Sequence, residues 1–186
     1  MRKAIPTILY INLITFGITY ILSFHGIYIN NILSIFPFNS GYFHPYQLLT
    51  NIFAHASIEH IFFNMLFLIL FGPAVEKYFG TKKFWKFYIL AGFFSSGLYC
   101  LGIGAILGAS GPIFGILGAY IFTNKEDVFN LKVIKIKTYI FIIMLVINEL
   151  YSCFFVNDNI GHLAHVSGFV FGVIFYFFNR NANQKV

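Results

Sequence analysis

Charge is scarce in this sequence. Asp, Glu, Lys and Arg make up only 10% of its 186 residues, hydrophobic residues make up 59%, and the mean hydropathy is +0.79. A soluble domain carries about 25% charged residues, so most of this chain must face lipid or other apolar helices. Acidic residues are rarer still, 6 against 12 Lys and Arg, and the isoelectric point is near 9.3. Cysteine is nearly missing too. Cys100 and Cys153 leave two readings, a single disulfide or two buried free thiols, and the second is favoured. Internal repeats, coiled-coil heptads, low-complexity tails and an appended soluble domain are all absent, so one domain over residues 1–186 is expected.

Long apolar runs fill the space that charge leaves. A span of the bilayer needs about 20 residues, and six candidate spans are readable, at roughly 5–24, 58–76, 84–102, 110–123, 138–156 and 161–178, with an outer loop over 25–57. The expected fold is an all-α polytopic membrane protein, a bundle of six transmembrane helices. Every cation then falls in one of four places: the N-terminus (Arg2, Lys3), the connection of the second and third spans (Lys77, Lys82, Lys83, Lys86), that of the fourth and fifth (Lys125, Lys132, Lys135, Lys137), and the C-terminus (Arg180, Lys185). With six spans those places share one side of the membrane, and the opposite connections hold no cation. The positive-inside rule therefore puts both termini in the cytoplasm. The basic isoelectric point reflects orientation, with some attraction to anionic lipid, and nucleic acid is not an expected partner. Met1-Arg2-Lys3 and the following apolar run imitate a signal peptide, but no small-x-small cleavage site follows, so the run reads as a retained first helix.

All six histidines (His25, His44, His55, His60, His162, His165) map to the outer half of this topology, away from the lysines. The second, fourth and sixth spans run inward from that side, and each opens with polar residues: His60 and Asn64, Ser110, and His165. Polar groups inside a bilayer are costly and mark either a function or a satisfied contact. The fourth run, Ser110 to Thr123, is about 21 Å long against a core of about 30 Å. It must start below the outer surface, and the segment 101–108 must dip inward to reach it. Irregular backbone at that depth needs protein or a water-filled cavity around it.

Ser110 stands in Gly108-Ala109-Ser110-Gly111 ahead of Pro112, at or beside a helix N-cap, where free N–H groups and the helix dipole favour negative charge. A plain capping role fits that position equally well. Gly111, Gly115 and Gly118 form one small-residue stripe, and Ala164, Gly168 and Gly172 form another, which allows close approach of the fourth and sixth spans. That approach would bring the Ser110 hydroxyl to the His165 imidazole, a nucleophile and base pairing of hydrolytic type. His60 and Asn64, four apart, share a helix face and could donate to an oxyanion, or could bond neighbouring backbone. Neither Asp158 nor Glu149 is a convincing carboxylate for His165, so a serine–histidine dyad, with the ring packed on Phe114, is the economical reading.

These motifs resemble the rhomboid intramembrane serine proteases. His55-Ala56-Ser57-Ile58-Glu59-His60-Ile61-Phe62-Phe63-Asn64 is similar to that family's second-helix pattern, Gly108-Ala109-Ser110-Gly111 to its GxSG, and His165-Val166-Ser167-Gly168 with Gly172 to its sixth-helix motif. Glu76 fits the end of its second helix. The resemblance covers roughly residues 42–178 and rests on three separated motifs in order. It implies Ser110 as nucleophile and His165 as general base, then acid. It also implies His60, Asn64 and the Ser110 backbone N–H as oxyanion donors, and His55 as a structural histidine. The implied reaction is peptide-bond hydrolysis through an acyl-enzyme, in or near the transmembrane segment of a single-span membrane protein, with no metal or other cofactor. The loop 25–57 is expected to lie partly in the outer leaflet. Two positions depart from the family: Tyr46-Gln47 stands where many bacterial members have Trp-Arg, and Phe114 where many have Tyr.

A bacterial inner membrane is the expected location, with the site open to the outer side; oligomeric state is not encoded legibly. Three rival readings are a non-catalytic relative that binds membrane clients, a metal-dependent enzyme using His55, His60, His162 and His165, and a transporter. Such relatives typically lack the serine or histidine, the histidines lack carboxylate or cysteine partners, and no span shows paired charges at the midplane.

Overall fold

The structure, a computed structural model, describes residues 3–101, 104–131, 134–158 and 160–180. In chain order the elements are α1 (Ala4–Ser23), the short α2 (Asn30–Leu33) and α3 (Gln47–Thr50), a 3-10 turn (Asn51–Phe53), α4 (Ile58–Phe79), α5 (Thr81–Tyr99), α6 (Ser110–Thr123), strands β1 (Val128–Leu131) and β2 (Ile134–Lys137), α7 (Thr138–Phe155) and α8 (His162–Asn179). The architecture is all-α and membrane-type, as expected from the apolar runs. A helix stands at each of the six expected positions. Gly102, at the end of the third expected span, and Arg2, Lys132 and Lys185 lie outside the described residues.

The six are not equal in length or apolarity. Among the described residues four helices, α1, α4, α7 and α8, are by length and composition alone long and apolar enough to cross a membrane. The helix α6 has only 14 residues, one turn or more short of a bilayer core. The helix α5 has 19, but Lys82, Lys83 and Lys86 occupy its first two turns, which dilutes its apolarity. The lysine-bearing connection of α6 and α7 is also more ordered than a loop. It forms an antiparallel hairpin in register Val128↔Lys137 to Leu131↔Ile134, the only strands among the described residues.

At the centre, α6 is enclosed by α4, α5 and α8. Nine of its residues are buried, including Gly111, Gly115 and Gly118. The glycine stripes meet backbone to backbone: a Cβ at Gly168 would lie 2.1 Å from the Gly111 carbonyl oxygen, and one at Gly172 would lie 1.9 Å from that of Gly115. No residue other than glycine fits such an approach without moving a helix. By contrast, α7 buries only Thr138, Ile142 and Ser152, and most of its remaining apolar side chains are exposed.

At the end of the bundle where α4 passes into α5, one carboxylate organises three elements. Glu76 is 1% exposed and accepts hydrogen bonds from the backbone N–H of Lys3 (3.1 Å), Ala4 (3.0 Å) and Ile5 (3.3 Å), and from the Thr81 hydroxyl (2.7 Å). It thus satisfies the orphan amides that open α1 and opposes that helix's dipole. Glu76→Ala is expected to destabilise the protein by about 2–4 kcal/mol, read as a lower unfolding temperature in detergent. Glu76→Gln, which keeps an acceptor oxygen, should lose less.

At the other end, the segment before α6 dips against protein. Ile106 exchanges backbone hydrogen bonds with Ile35 (2.9 and 3.1 Å), and the Gly108 N–H donates to the Asn51 carbonyl (2.8 Å). The outer loop therefore supplies the partners that irregular backbone requires at depth. Gly102 and Ile103 of this segment lie outside the described residues. Gln47, at one of the departures from the family pattern, is buried and ties the loop to itself: its Oε1 accepts from the His44 N–H (3.0 Å) and its Nε2 donates to the Tyr42 carbonyl (3.1 Å). Both cysteines are free thiols, Cys100 buried and Cys153 half-buried.

Candidate active site

The starts of α4, α6 and α8 converge on a cavity of about 730 Å³, and His60, Asn64, Ser110 and His165 all line it. The local folding explains the convergence. Ser57 caps α4, its side chain accepting from the His60 N–H (3.2 Å), so His60 and Asn64 fall in the first two turns. Gly108 carries φ +139°, and a Cβ there would lie 2.6 Å from His60 Nε2. Only glycine can make that turn beneath the imidazole.

Ser110 is the first residue of α6, and the capping position belongs to Ala109. The Ser110 side chain makes no capping bond, so the plain capping reading does not describe what its hydroxyl does. Instead Ser110 Oγ lies 2.8 Å from His165 Nε2, across 55 residues of sequence. The Phe114 ring stacks on the His165 ring at 4.6 Å between centroids and 5° between planes. Glycine packing of α6 on α8 brings the three together.

The other face of His165 holds a group that the sequence reading set aside. Glu149 Oε2, from α7, is 2.8 Å from His165 Nδ1 and 2.6 Å from His162 Nδ1. Asp158, the other carboxylate weighed, is 3.2 Å from His162 Nε2 but outside hydrogen-bond geometry, and it makes no bond to His165 among the described residues. The available signal for Glu149 was its cost: it is the one charged residue in α7, and a lone charge in an apolar helix demands a partner.

Asn64 Nδ2 is a buried donor with no hydrogen-bond partner among the described residues. It lines the same cavity as His60 and as Ser110 and Gly111 at the start of α6, where a helix leaves N–H groups without intrahelical partners. His55 lies outside the spans and stands edge-on to His60 at 5.0 Å between ring centroids. Burial drives its pKa down to about 3, so it is a neutral ring packed against His60, and its backbone carbonyl accepts from Asn30 Nδ2 (2.9 Å).

The histidines of the metal reading do not gather as one set. Glu149, His162 and His165 do place three donor atoms within 4.8 Å of one another. Two ligands on a tetrahedral zinc ion with bonds of ~2.0–2.1 Å stand roughly 3.3 Å apart. The nitrogen-to-oxygen contacts of 2.6 and 2.8 Å are shorter and match shared protons.

Comparison with known proteins bears on the same region. A family model described as the Rhomboid domain matches residues 42–181. RHOMBOID-like protein 1 of Arabidopsis thaliana is 35% identical over 151 residues, covering 75% of this chain and 38% of that protein. Rhomboid protease GluP of Bacillus subtilis is 34% identical over 130 residues, 68% of this chain and 24% of that protein. Rhomboid protease GlpG of Haemophilus influenzae is 28% identical over 147 residues, 75% of this chain and 72% of that protein. The chain thus spans well under half the length of the first two relatives. With the family match extending over most of its length, from the outer loop through the last helix, the chain belongs to the rhomboid family.

Proposed function

We propose that this protein is an intramembrane serine endopeptidase that hydrolyses peptide bonds in or near the transmembrane segments of single-span membrane proteins. The observation that carries this reading is the 2.8 Å contact of Ser110 Oγ with His165 Nε2 inside a cavity of an apolar helical bundle. In this mechanism Ser110 Oγ attacks the scissile carbonyl carbon while its proton passes to His165 Nε2. The oxyanion that forms is met by His60, Asn64 and the Ser110 backbone N–H. His165 then protonates the leaving amine, and water, activated by the same imidazole, releases the acyl group from Ser110. No cofactor enters any step. Family membership and the names of the relatives GluP and GlpG support a protease. The lysine distribution supports cytoplasmic termini and a site open to the outer side; the proposed membrane is a bacterial inner membrane.

The test is covalent labelling of the purified protein in detergent with a fluorophosphonate probe. Labelling is expected at Ser110 and is expected to disappear in His165→Ala. Cleavage of a single-span reporter that a chelator stops would favour the metal reading instead. His60→Ala and Asn64→Ala should each lower the cleavage rate roughly ten- to a thousandfold, measured as initial rates on that reporter. Unchanged rates would remove both from the oxyanion site.

A further inference from the structure

We propose that Glu149 is the positioning residue of the catalytic base, converting the Ser110–His165 pair into a three-membered relay whose carboxylate is held in turn by His162. The inference deepens the protease reading and rests on it. Glu149 Oε2, His165 and Ser110 Oγ form one line of contacts, 2.8 Å at each end of the imidazole. A carboxylate can only accept at Nδ1, so the Nδ1–H tautomer is fixed and Nε2 presents its lone pair to the serine. When the Ser110 proton moves to Nε2 the ring becomes a cation, and the Nδ1 proton stays on the ring, bonded to an anion 2.8 Å away. That arrangement stabilises charge that exists only after attack has begun, so it acts on turnover rather than on substrate affinity.

The second imidazole explains how Glu149 keeps its place. The helix α7 buries few residues and offers little packing to hold a side chain in register. His162 precedes His165 by three residues on the same face of α8, and its Nδ1–H donates to the same Oε2 at 2.6 Å. Glu149 is therefore clamped between two rings of a neighbouring helix, its side chain only 16% exposed. Other titratable groups surround the relay: His60 from α4 beside His165, Cys153 on α7 beside Glu149, Asp158 from the preceding loop beside His162, and Tyr99 at the end of α5 beside Asp158. Phe114 of α6 closes the remaining face of His165 without a charge.

The experiment measures kcat and KM for the full chain in detergent on a single-span reporter across pH 5–9, for wild type, Glu149→Gln, Glu149→Asp and His162→Leu. Glu149→Gln is expected to lower kcat on the order of a hundredfold or more, with KM nearly unchanged. Without the anion the imidazolium is less favoured, so the acid limb of the kcat profile moves to lower pH. His162→Leu removes the ring that holds Glu149 in place and is expected to lower kcat less and to move that limb the same way, by a smaller amount. Glu149→Asp should recover part of the rate. An unchanged kcat in Glu149→Gln, or a loss with the acid limb unmoved, overturns the proposal and leaves Glu149 a strut. If Glu149→Gln does not fold, an unmoved limb in His162→Leu overturns it equally. A wild type that leaves the reporter intact counts against the protease reading. In that case a strongly downfield imidazole proton resonance, kept in Ser110→Ala and lost in His165→Ala, supports the Glu149 contact, and its absence from the wild type overturns it.

Discussion

Ser110→Ala is expected to leave a single-span reporter uncut while the protein stays folded. The hydroxyl is the atom that attacks in the proposed mechanism, and removing a nucleophile of this kind costs on the order of 10⁶-fold in kcat. His165→Ala should cost about as much, and the double variant no more than either, because the two residues act as one unit. The fold has little stake in the hydroxyl. Ser110 provides no capping bond to α6, and its bond to His165 is worth about 1 kcal/mol to stability. Thermal unfolding should therefore shift by only a few degrees, which separates loss of chemistry from loss of structure. Cleavage at the wild-type rate in Ser110→Ala would dismiss the serine mechanism outright.

Gly168→Ala is expected to damage both activity and stability, although the change is one methyl group remote from the substrate. The added Cβ would sit 2.1 Å from the Gly111 carbonyl oxygen, a backbone atom that cannot swing aside. The helices α6 and α8 would have to part. Overpacking of this type costs about 1–3 kcal/mol, and more where backbone must yield. Gly111 adjoins Ser110 and Gly168 lies one turn from His165, so the displacement passes directly into the reacting pair. A shift of about 1 Å can cost a hundredfold in rate. A matched control exists in Gly97→Ala on α5, where the new Cβ meets nothing within 4 Å; that variant should keep its activity and gain up to about 1 kcal/mol from helix propensity. Equal behaviour of the two variants, in reporter cleavage and in thermal unfolding, would contradict the close approach of α6 and α8.

The apolar runs made the helices readable, but their ends obeyed other rules. The run predicted at 110–123 coincides with α6 because glycine, serine and proline punctuate its start. The end predicted at residue 76 misses by three residues, because α4 runs through charged Glu76 and Lys77 and stops at Gly80, φ +78°. Likewise α5 begins at Thr81, ahead of the predicted 84, since lysines are good helix formers wherever a span's end meets water. The hairpin was overlooked because each strand is only four residues long, although Ile134-Lys135-Ile136-Lys137 alternates with period two. In the cavity, the pairing of spans four and six was legible from glycine spacing, and the stacking of Phe114 on His165 from helical register. Glu149 was not. It reaches His165 from another helix, 16 residues earlier in the chain, and sequence distance could not rank it above Asp158.

The carboxylate of Glu76 gives the first residues of α1 an importance that helix ends seldom have. Three of its four hydrogen-bond donors are the main-chain amides of residues 3, 4 and 5. Cutting those residues away would strand an anion in a dry interior with one hydroxyl for company. Trimming even a few residues past Lys3 would therefore undo a fastening between the start of α1 and the end of α4.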